Sequence, residues 1–358
     1  MNIVFAVISL LLSFLSAFYL LFPTFFTSLG YGWLHQYDIK RWALRSFALI
    51  CLFVYILNQK EVDSLFIINL FIFSIFWIFS LFNASPNVFV ALNESTILKV
   101  NTIIYPLENE VIGIVDEDGF AICYPIDEMV LPRHLLNDIF QNKSLLISFC
   151  AACRSTMIFN SCINGERLTF EVISVYRRNM VIRDLQTGTI WQQIQGKAMY
   201  GKLKGTQLEF LPYQQTSLKE WMKQYPNSLI AKEVNVKKGI FPKSFLSKIL
   251  LKVTNNLTSS GKTNLKGLPL REKIWGVEFN GKTKAYPINE LNKLKNNDFE
   301  DIINGMVVKI QYNHSSNKIS GYVVSTNEKL TFQRHWWLGW KEFYPNTEIW
   351  CIKTNLID

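Results

Sequence analysis

Three long apolar stretches occupy the start of the chain, and short alternating runs occupy the rest. Ile3 to Phe22 is apolar at nearly every position, and no charged side chain occurs from Met1 to Leu34. A run of that length matches the hydrocarbon core of a bilayer. It lacks the basic start and small-residue cleavage site of a signal peptide, so it reads as a retained span. Residues 42–57 form a second, shorter candidate with Arg45 inside it, and residues 64–82 form a third, with Trp77 near its end. Aromatic rings favour that interfacial position. Core helices of globular proteins seldom stay uncharged over such lengths, so a transmembrane region of three helices is expected within residues 1–85. After Ser85-Pro86-Asn87 the pattern becomes short β-rich runs broken by Gly, Pro and Asn, the signature of a β-dominated soluble domain.

That domain resembles itself. Val111-Ile112-Gly113-Ile114 matches Ile274-Trp275-Gly276-Val277, and Cys123-Tyr124-Pro125-Ile126 matches Ala285-Tyr286-Pro287-Ile288. Asp138-Ile139 matches Asp301-Ile302, Leu168-Thr169-Phe170 matches Leu330-Thr331-Phe332, and Trp221 with Tyr225-Pro226-Asn227 matches Trp340 with Tyr344-Pro345-Asn346. The order is the same throughout, which points to a duplicated unit. The expected fold class is α+β: transmembrane helices, then a first repeat over 86–231, a basic connector over 232–268 and a degenerate second repeat over 269–358. Counted from the shared Asp-Ile pair, Cys150 falls opposite Asn313 and Cys153 opposite Ser316. The second copy also omits the equivalent of Ile173 to Gln215. Any chemistry is therefore expected in the first copy, with the second as a packing partner.

Composition sharpens this picture. Hydrophobic residues make up 49% of the 358 and charged residues 18%, which excludes a disordered or fibrous chain. The 27 Phe and 10 Trp point to lipid as a partner. A net charge of +9 suggests an anionic partner, but residues 232–271 hold nine Lys or Arg against the single Glu233. The excess is local, and no motif indicates nucleic-acid binding. Within the connector, Ser244 is positioned to cap an amphipathic helix whose lysines face an anionic membrane surface or plain solvent. Six cysteines are too few for a disulfide-dense secreted scaffold.

Cys150-Ala151-Ala152-Cys153 lies between the apolar runs Leu145–Phe149 and Thr156–Phe159, and so in a turn between strands. Redox pairs of this spacing draw their reactivity from a helix N-terminus. A strand-turn-strand pair more resembles half of a metal knuckle, for which zinc needs about two further ligands. His134, Cys123, Cys162 and His335 are the available donors. An inert structural pair, a metal site and a nucleophilic thiol all remain open. His134 is expected in a short helix over 127–138, close enough in sequence to act as base to Cys150. Arg154, Arg177 and Arg178 offer forked donors to an anionic group. Gly196, Gly201 and Gly205, with Lys202 and Lys204, lack phosphate-loop spacing and read as hairpin turns.

Taken together these residues resemble a known bacterial family, the domain of unknown function 3179. The resemblance rests on Gly113, Tyr124-Pro125-Ile126, Asn137-Asp138, Ser148-Phe149-Cys150-Ala151-Ala152-Cys153-Arg154-Ser155, Asn164-Gly165, Asp184 with Thr187, Trp191 with Gln192, and Gly201-Lys202-Leu203-Lys204-Gly205-Thr206. It spans about Val111 to Ile349. The chain departs from the family pattern at Cys123, where Ala is usual, at Lys202, where Pro is usual, and at Arg177, where a His is frequent. The family has no established activity, so the resemblance implies architecture and a candidate site without a reaction. The implied ligand-binding set is Arg154, Arg177, Asn179, Trp191, Gln192 and Lys204, around Cys150, Cys153 and His134.

Three functions follow as expectations. The first is a membrane-anchored small-molecule or metal-binding module at the Cys150–Cys153 turn. The second is a thiol enzyme with Cys150 as nucleophile and His134 as base. The third is a structural or assembly protein with a disulfide between the two cysteines. Lys40, Arg41 and Arg45 favour a cytoplasmic first loop and, after three spans, a cytoplasmic domain. The exported character of many relatives favours the extracytoplasmic face, which is the expectation adopted.

Overall fold

The structure, a computed structural model, describes residues 2–82, 89–102, 105–130, 133–151, 153–232 and 267–352. The connector expected over 232–268, with its Ser244 helix, lies almost wholly outside the described residues. Contacts divide the chain into two units. One comprises Met1–Val88, Glu171–Gln192 and Lys197–Thr206; the other comprises Phe89–Phe170, Gln193–Gly196 and Gln207–Asp358.

The first unit is built on three helices: α1 (Asn2–Phe18), α2 (Tyr37–Leu57) and α3 (Ser64–Leu81). Ala6, Ser9, Ser13 and Ser16 form a buried stripe of small residues along α1, which lets α2 and α3 approach it closely. Ser9 and Ser13 return their hydroxyl protons to carbonyls one turn back, so the stripe is polar without being unsatisfied. Ile3–Phe25 and Ser64–Leu81 are long and apolar enough to cross a membrane. The middle helix departs from that composition because Asp38, Lys40, Arg41 and Arg45 fall in its first turns.

Those arginines have a structural explanation. Arg41 donates to the carbonyls of Ser16, Ser80 and Phe82, and Arg45 to the hydroxyl and carbonyl of Ser80. The last carbonyls of α3 carry the negative end of the helix dipole and have no partners within the helix. Two guanidinium groups therefore cap α3 from the start of α2.

A four-stranded sheet completes this unit, in the order Phe170–Tyr176, Asn179–Asp184, Ile190–Gln192, Lys197–Tyr200. Ile173, Val181 and Ile190 pack with Tyr19, Leu20, Leu34 and Tyr37. Thr24 donates to the Val175 carbonyl, Tyr176 to that of Thr27, and Arg183 pairs with Asp38 and Glu171. Residues 171–192 and 197–206 thus dock on the helices.

The second unit contains two sheets of matching order. In one, Gln214–Ser217, Glu110–Val115, Ala121–Pro125 and Leu229–Lys232 lie side by side, with Thr96–Lys99 added at the edge. In the other the order is Phe332–Trp336, Lys273–Phe279, Lys282–Pro287, Glu348–Ile349. Both have an antiparallel central hairpin, an antiparallel first neighbour and a parallel last neighbour. Each central strand carries a glycine under a tryptophan. A Cβ on Gly113 would lie 1.9 Å from the Trp221 ring, and one on Gly276 would lie 2.5 Å from the Trp340 ring. The indole of Trp221 donates to Ser228 and that of Trp340 to Thr347, at 2.9 and 3.0 Å.

Two further sheets carry the turns of interest. Val90–Asn93, Arg133–Phe140, Lys143–Cys150, Ser155–Asn160 and Glu209–Phe210 form one; Asp298–Ile303, Met306–Asn313 and Lys318–Val323 form the other. Gln141-Asn142 and Asn304-Gly305, at equivalent hairpins, all have positive φ. That is the requirement of a two-residue hairpin turn of the primed type.

Candidate functional site

Lys143–Cys150 and Ser155–Asn160 pair antiparallel, with Cys150 opposite Ser155, so the cysteine turn sits between strands as its flanking apolar runs imply. Arg154 closes the turn at φ 51°, a left-handed conformation, and Asn317 holds the equivalent place at φ 50°. The Arg154 guanidinium lies over the rings of Phe149 and Trp336, at 5.3 and 5.9 Å. Those contacts hold a residue that ordinarily avoids this conformation.

Both sulfurs are closed off: Cys150 is 2% exposed and Cys153 is fully buried. A Cβ on Gly339 would lie 2.5 Å from the Cys153 Cβ, so the Trp337–Phe343 helix packs directly on this cysteine. The Trp336 amide donates to the Cys153 carbonyl at 3.1 Å. Tyr213 ties the same strands together, donating to the Thr156 carbonyl while accepting from the Arg334 amide.

A buried polar chain runs from the turn. Cys153 Sγ lies 3.1 Å from Ser155 Oγ, Ser155 donates to Gln193 Oε1 at 3.2 Å, and Gln193 Nε2 donates to Ser148 Oγ at 2.9 Å. Ser148 passes its proton to the Met157 carbonyl. The contact thus places the Cys153 sulfur at the end of a closed polar chain inside the domain. Ser148, Ser155 and Gln193 are absent from the sequence-derived site. The lone hydroxyl of Ser148 within the continuous apolar run Leu145–Phe149 was the available signal.

His134 corrects an expectation. The helix ends at Val130 and His134 lies on the Arg133–Phe140 strand, not in a helix over 127–138. Pro132 in the sequence disfavours continuation of a helix, and the residues after it alternate as a strand does. His134 is 3% exposed, with its ring edge-on to Phe89 at 4.7 Å. The register pairs Leu135 with Ser148, so the next step sets His134 opposite Phe149 rather than Cys150.

Among the described residues, no three of His, Cys, Asp and Glu converge as metal ligands. No disulfide joins Cys150 to Cys153, so the disulfide expected in the structural reading is not formed. Cys123 lies in the core beneath Trp221, where burial pushes its thiol pKa well up. His335 is buried against Trp340, and burial lowers its pKa to about 3.

Of the implied ligand-binding set, only Arg154 belongs to the unit that holds the cysteines; Arg177, Asn179, Trp191, Gln192 and Lys204 belong to the unit of the helices. There, Gln192 donates to Asn179 Oδ1 and accepts from the Tyr31 hydroxyl at 2.6 Å. Trp191 donates to the buried carboxylate of Asp184, which also receives the amide and hydroxyl of Thr187. Arg177 and Arg178 form the tip of a hairpin, both at positive φ.

The second unit has a cleft of about 1130 Å³ lined in part by Lys284, Phe299, Asp301, Glu348 and Trp350. A groove of about 500 Å³ adjoins Tyr213, Lys309, Tyr322 and Lys329. Neither is lined by Cys150, Cys153 or His134. Lys284, only 9% exposed, pairs with Asp301 at 2.8 Å, and Asp301 also accepts from the Tyr286 hydroxyl.

No curated protein and no solved structure matches this chain. Over residues 89–323 the sequence matches the family described as "Protein of unknown function (DUF3179)". That stretch holds the cysteine turn, the docking sheet and most of both matching sheets, and the chain belongs to the DUF3179 family.

Proposed function

We propose that this chain is a membrane-anchored structural protein: α1–α3 cross a bilayer and hold a duplicated β-domain at its surface as a rigid assembly module. In this reading the Cys150–Cys153 turn is an internal joint. The observation that carries it is the closure of both sulfurs, with Cys153 in contact with the buried Ser155 hydroxyl and covered by Gly339. A small-molecule site at the turn requires reachable donors, a zinc site requires further ligands that do not converge there among the described residues, and a thiol enzyme with Cys150 as nucleophile and His134 as base requires an accessible thiolate. Duplication is supported by the common strand order and by the paired Gly–Trp and Tyr–Asp contacts.

The β-domain is assigned to the extracytoplasmic face. Arg41 and Arg45 cap carbonyls inside the helical bundle, which accounts for two of the three cations that favoured the opposite assignment. Membrane-impermeant labelling of the exposed Cys351 in intact cells tests this directly, and labelling only after lysis overturns it.

The decisive experiment is alkylation of the full chain in mild detergent at neutral pH, mapped by mass spectrometry and paired with elemental analysis. Cys351 should react quickly, while Cys150 and Cys153 should react only after unfolding. Fast modification of Cys150 overturns the structural reading in favour of the enzyme. Stoichiometric zinc, lost in Cys153→Ser, overturns it in favour of the metal site.

A further inference from the structure

The docking sheet brings an electropositive cleft to the end of the first apolar span. The cleft, of about 560 Å³, is lined by His35, Thr187, Tyr200, Gly201, Lys202 and Lys204. Among the described residues, no acidic side chain lines it. Lys202 and Lys204 are exposed, and their ammonium groups have no hydrogen-bonding or ionic partner among the described residues. The two acids of the docking segment are already engaged, Glu171 with Arg183 and Asp184 with Trp191 and Thr187.

The depth of the cleft follows from its neighbours. His35 stands between the apolar stretch Ile3–Phe25 and α2, and its ring lies 4.9 Å from that of Tyr200. Just before it, Trp33 stacks on Tyr19 at 4.4 Å, each donating to the other's carbonyl. Such amphipathic rings mark the headgroup level of a bilayer. Lys40 reaches back to the carbonyls of Gly32 and Trp33, as a snorkelling lysine does. The turn that carries the two lysines is tied to its own sheet. Gly201, at φ 113°, packs on Thr189, whose hydroxyl accepts from the Leu203 amide.

We propose that this cleft binds the phosphate of an anionic lipid headgroup, with Lys202 and Lys204 as the charged donors, His35 as a third polar wall and Tyr200 bounding the opening. The site would orient the docking sheet on the membrane through a lipid contact rather than through the helices alone. This proposal rests on the reading that α1 and α3 cross a bilayer.

The test uses the full chain reconstituted in nanodiscs of phosphatidylcholine with and without phosphatidylglycerol, with retained lipids counted by native mass spectrometry. The wild-type protein should retain phosphatidylglycerol over phosphatidylcholine, and the double variant Lys202→Ala/Lys204→Ala should lose that preference by roughly tenfold. Both lysines are exposed, so the variant is expected to fold. Lys60→Ala, an exposed lysine in the loop between α2 and α3, should leave the preference unchanged. Equal retention of both lipids by the wild type, or full retention by the double variant, overturns the proposal. Competition by millimolar inorganic phosphate with no lipid preference overturns the lipid source. Release of the wild-type chain from membranes by alkaline carbonate signals instead that the spanning reading has failed, whereas retention without lipid selectivity sinks this proposal alone.

Discussion

The sheet around Gly113 and the sheet around Gly276 share a skeleton and differ in chemistry. Each seats a tryptophan on a glycine, and each has a tyrosine donating to an aspartate, Tyr124 to the buried Asp138 and Tyr286 to the half-buried Asp301. In the first sheet the residue two before the tyrosine is Ile122, and Asp138 is satisfied by neutral donors from Ser95 and Tyr124. In the second that residue is Lys284, which pairs with Asp301. The first half retains cysteines at its turn, where the second has Asn313, whose side chain accepts from the Ser316 amide. Shape is held where a Cβ or a lost hydroxyl would break packing. Charge is free to change where a neighbour compensates.

Three measurements on the full chain in micelles would break or sharpen this comparison. The largest difference is expected between the aspartates. Asp301→Asn removes the nearer counter-ion of Lys284, leaving only the exposed Glu348 at 3.8 Å, and should cost about 3 kcal/mol, whereas Asp138→Asn, among neutral donors, should cost about 1 kcal/mol. Equal losses in thermal unfolding would show that the lysine has not changed the energetics of its half.

Next come the glycines. Gly113→Ala and Gly276→Ala each force a methyl into an indole and should cost about 1–3 kcal/mol by overpacking, with Gly113 the more sensitive because its clash is closer. A tolerated alanine at either position would mean that the tryptophan can move aside and that the shared geometry is not a shared constraint.

The smallest effect is a pH dependence confined to the second half. His335 occupies the place of Thr216, each paired to the first residue of a matching strand motif. Burial lowers its pKa from 6.5 to about 3, so the unfolded chain binds the proton more readily. This contribution is therefore complete above about pH 6.5 and is lost as pH falls toward 3, reaching about 2 kcal/mol near pH 5. His335→Gln should flatten the fall in melting temperature between pH 7 and pH 5. An unchanged slope would place the acid sensitivity elsewhere.

Much of the fold was legible along the chain. Charge-free runs mark Ile3–Phe25 and Ser64–Leu81, and apolar runs on either side of Cys150 and Cys153 mark a turn between strands. The glycine and tryptophan landmarks recur at matching positions because each is a local demand of its own sheet. His134 was misread because helix periodicity was carried past Pro132. Lys284 went unnoticed because its meaning depends on Asp301, on a different strand.

Local pattern by itself determined which segments are apolar enough for a membrane, which are strands, and where the cysteine turn falls, because periodicity and turn chemistry act between near neighbours. Tertiary structure alone decided that Gln192 meets Tyr31, that Gly339 closes over Cys153, and that Lys202 and Lys204 meet His35 in one cleft. Each of those contacts joins residues far apart in the chain, and its energy exists only once packing has excluded water and chosen which surfaces face each other.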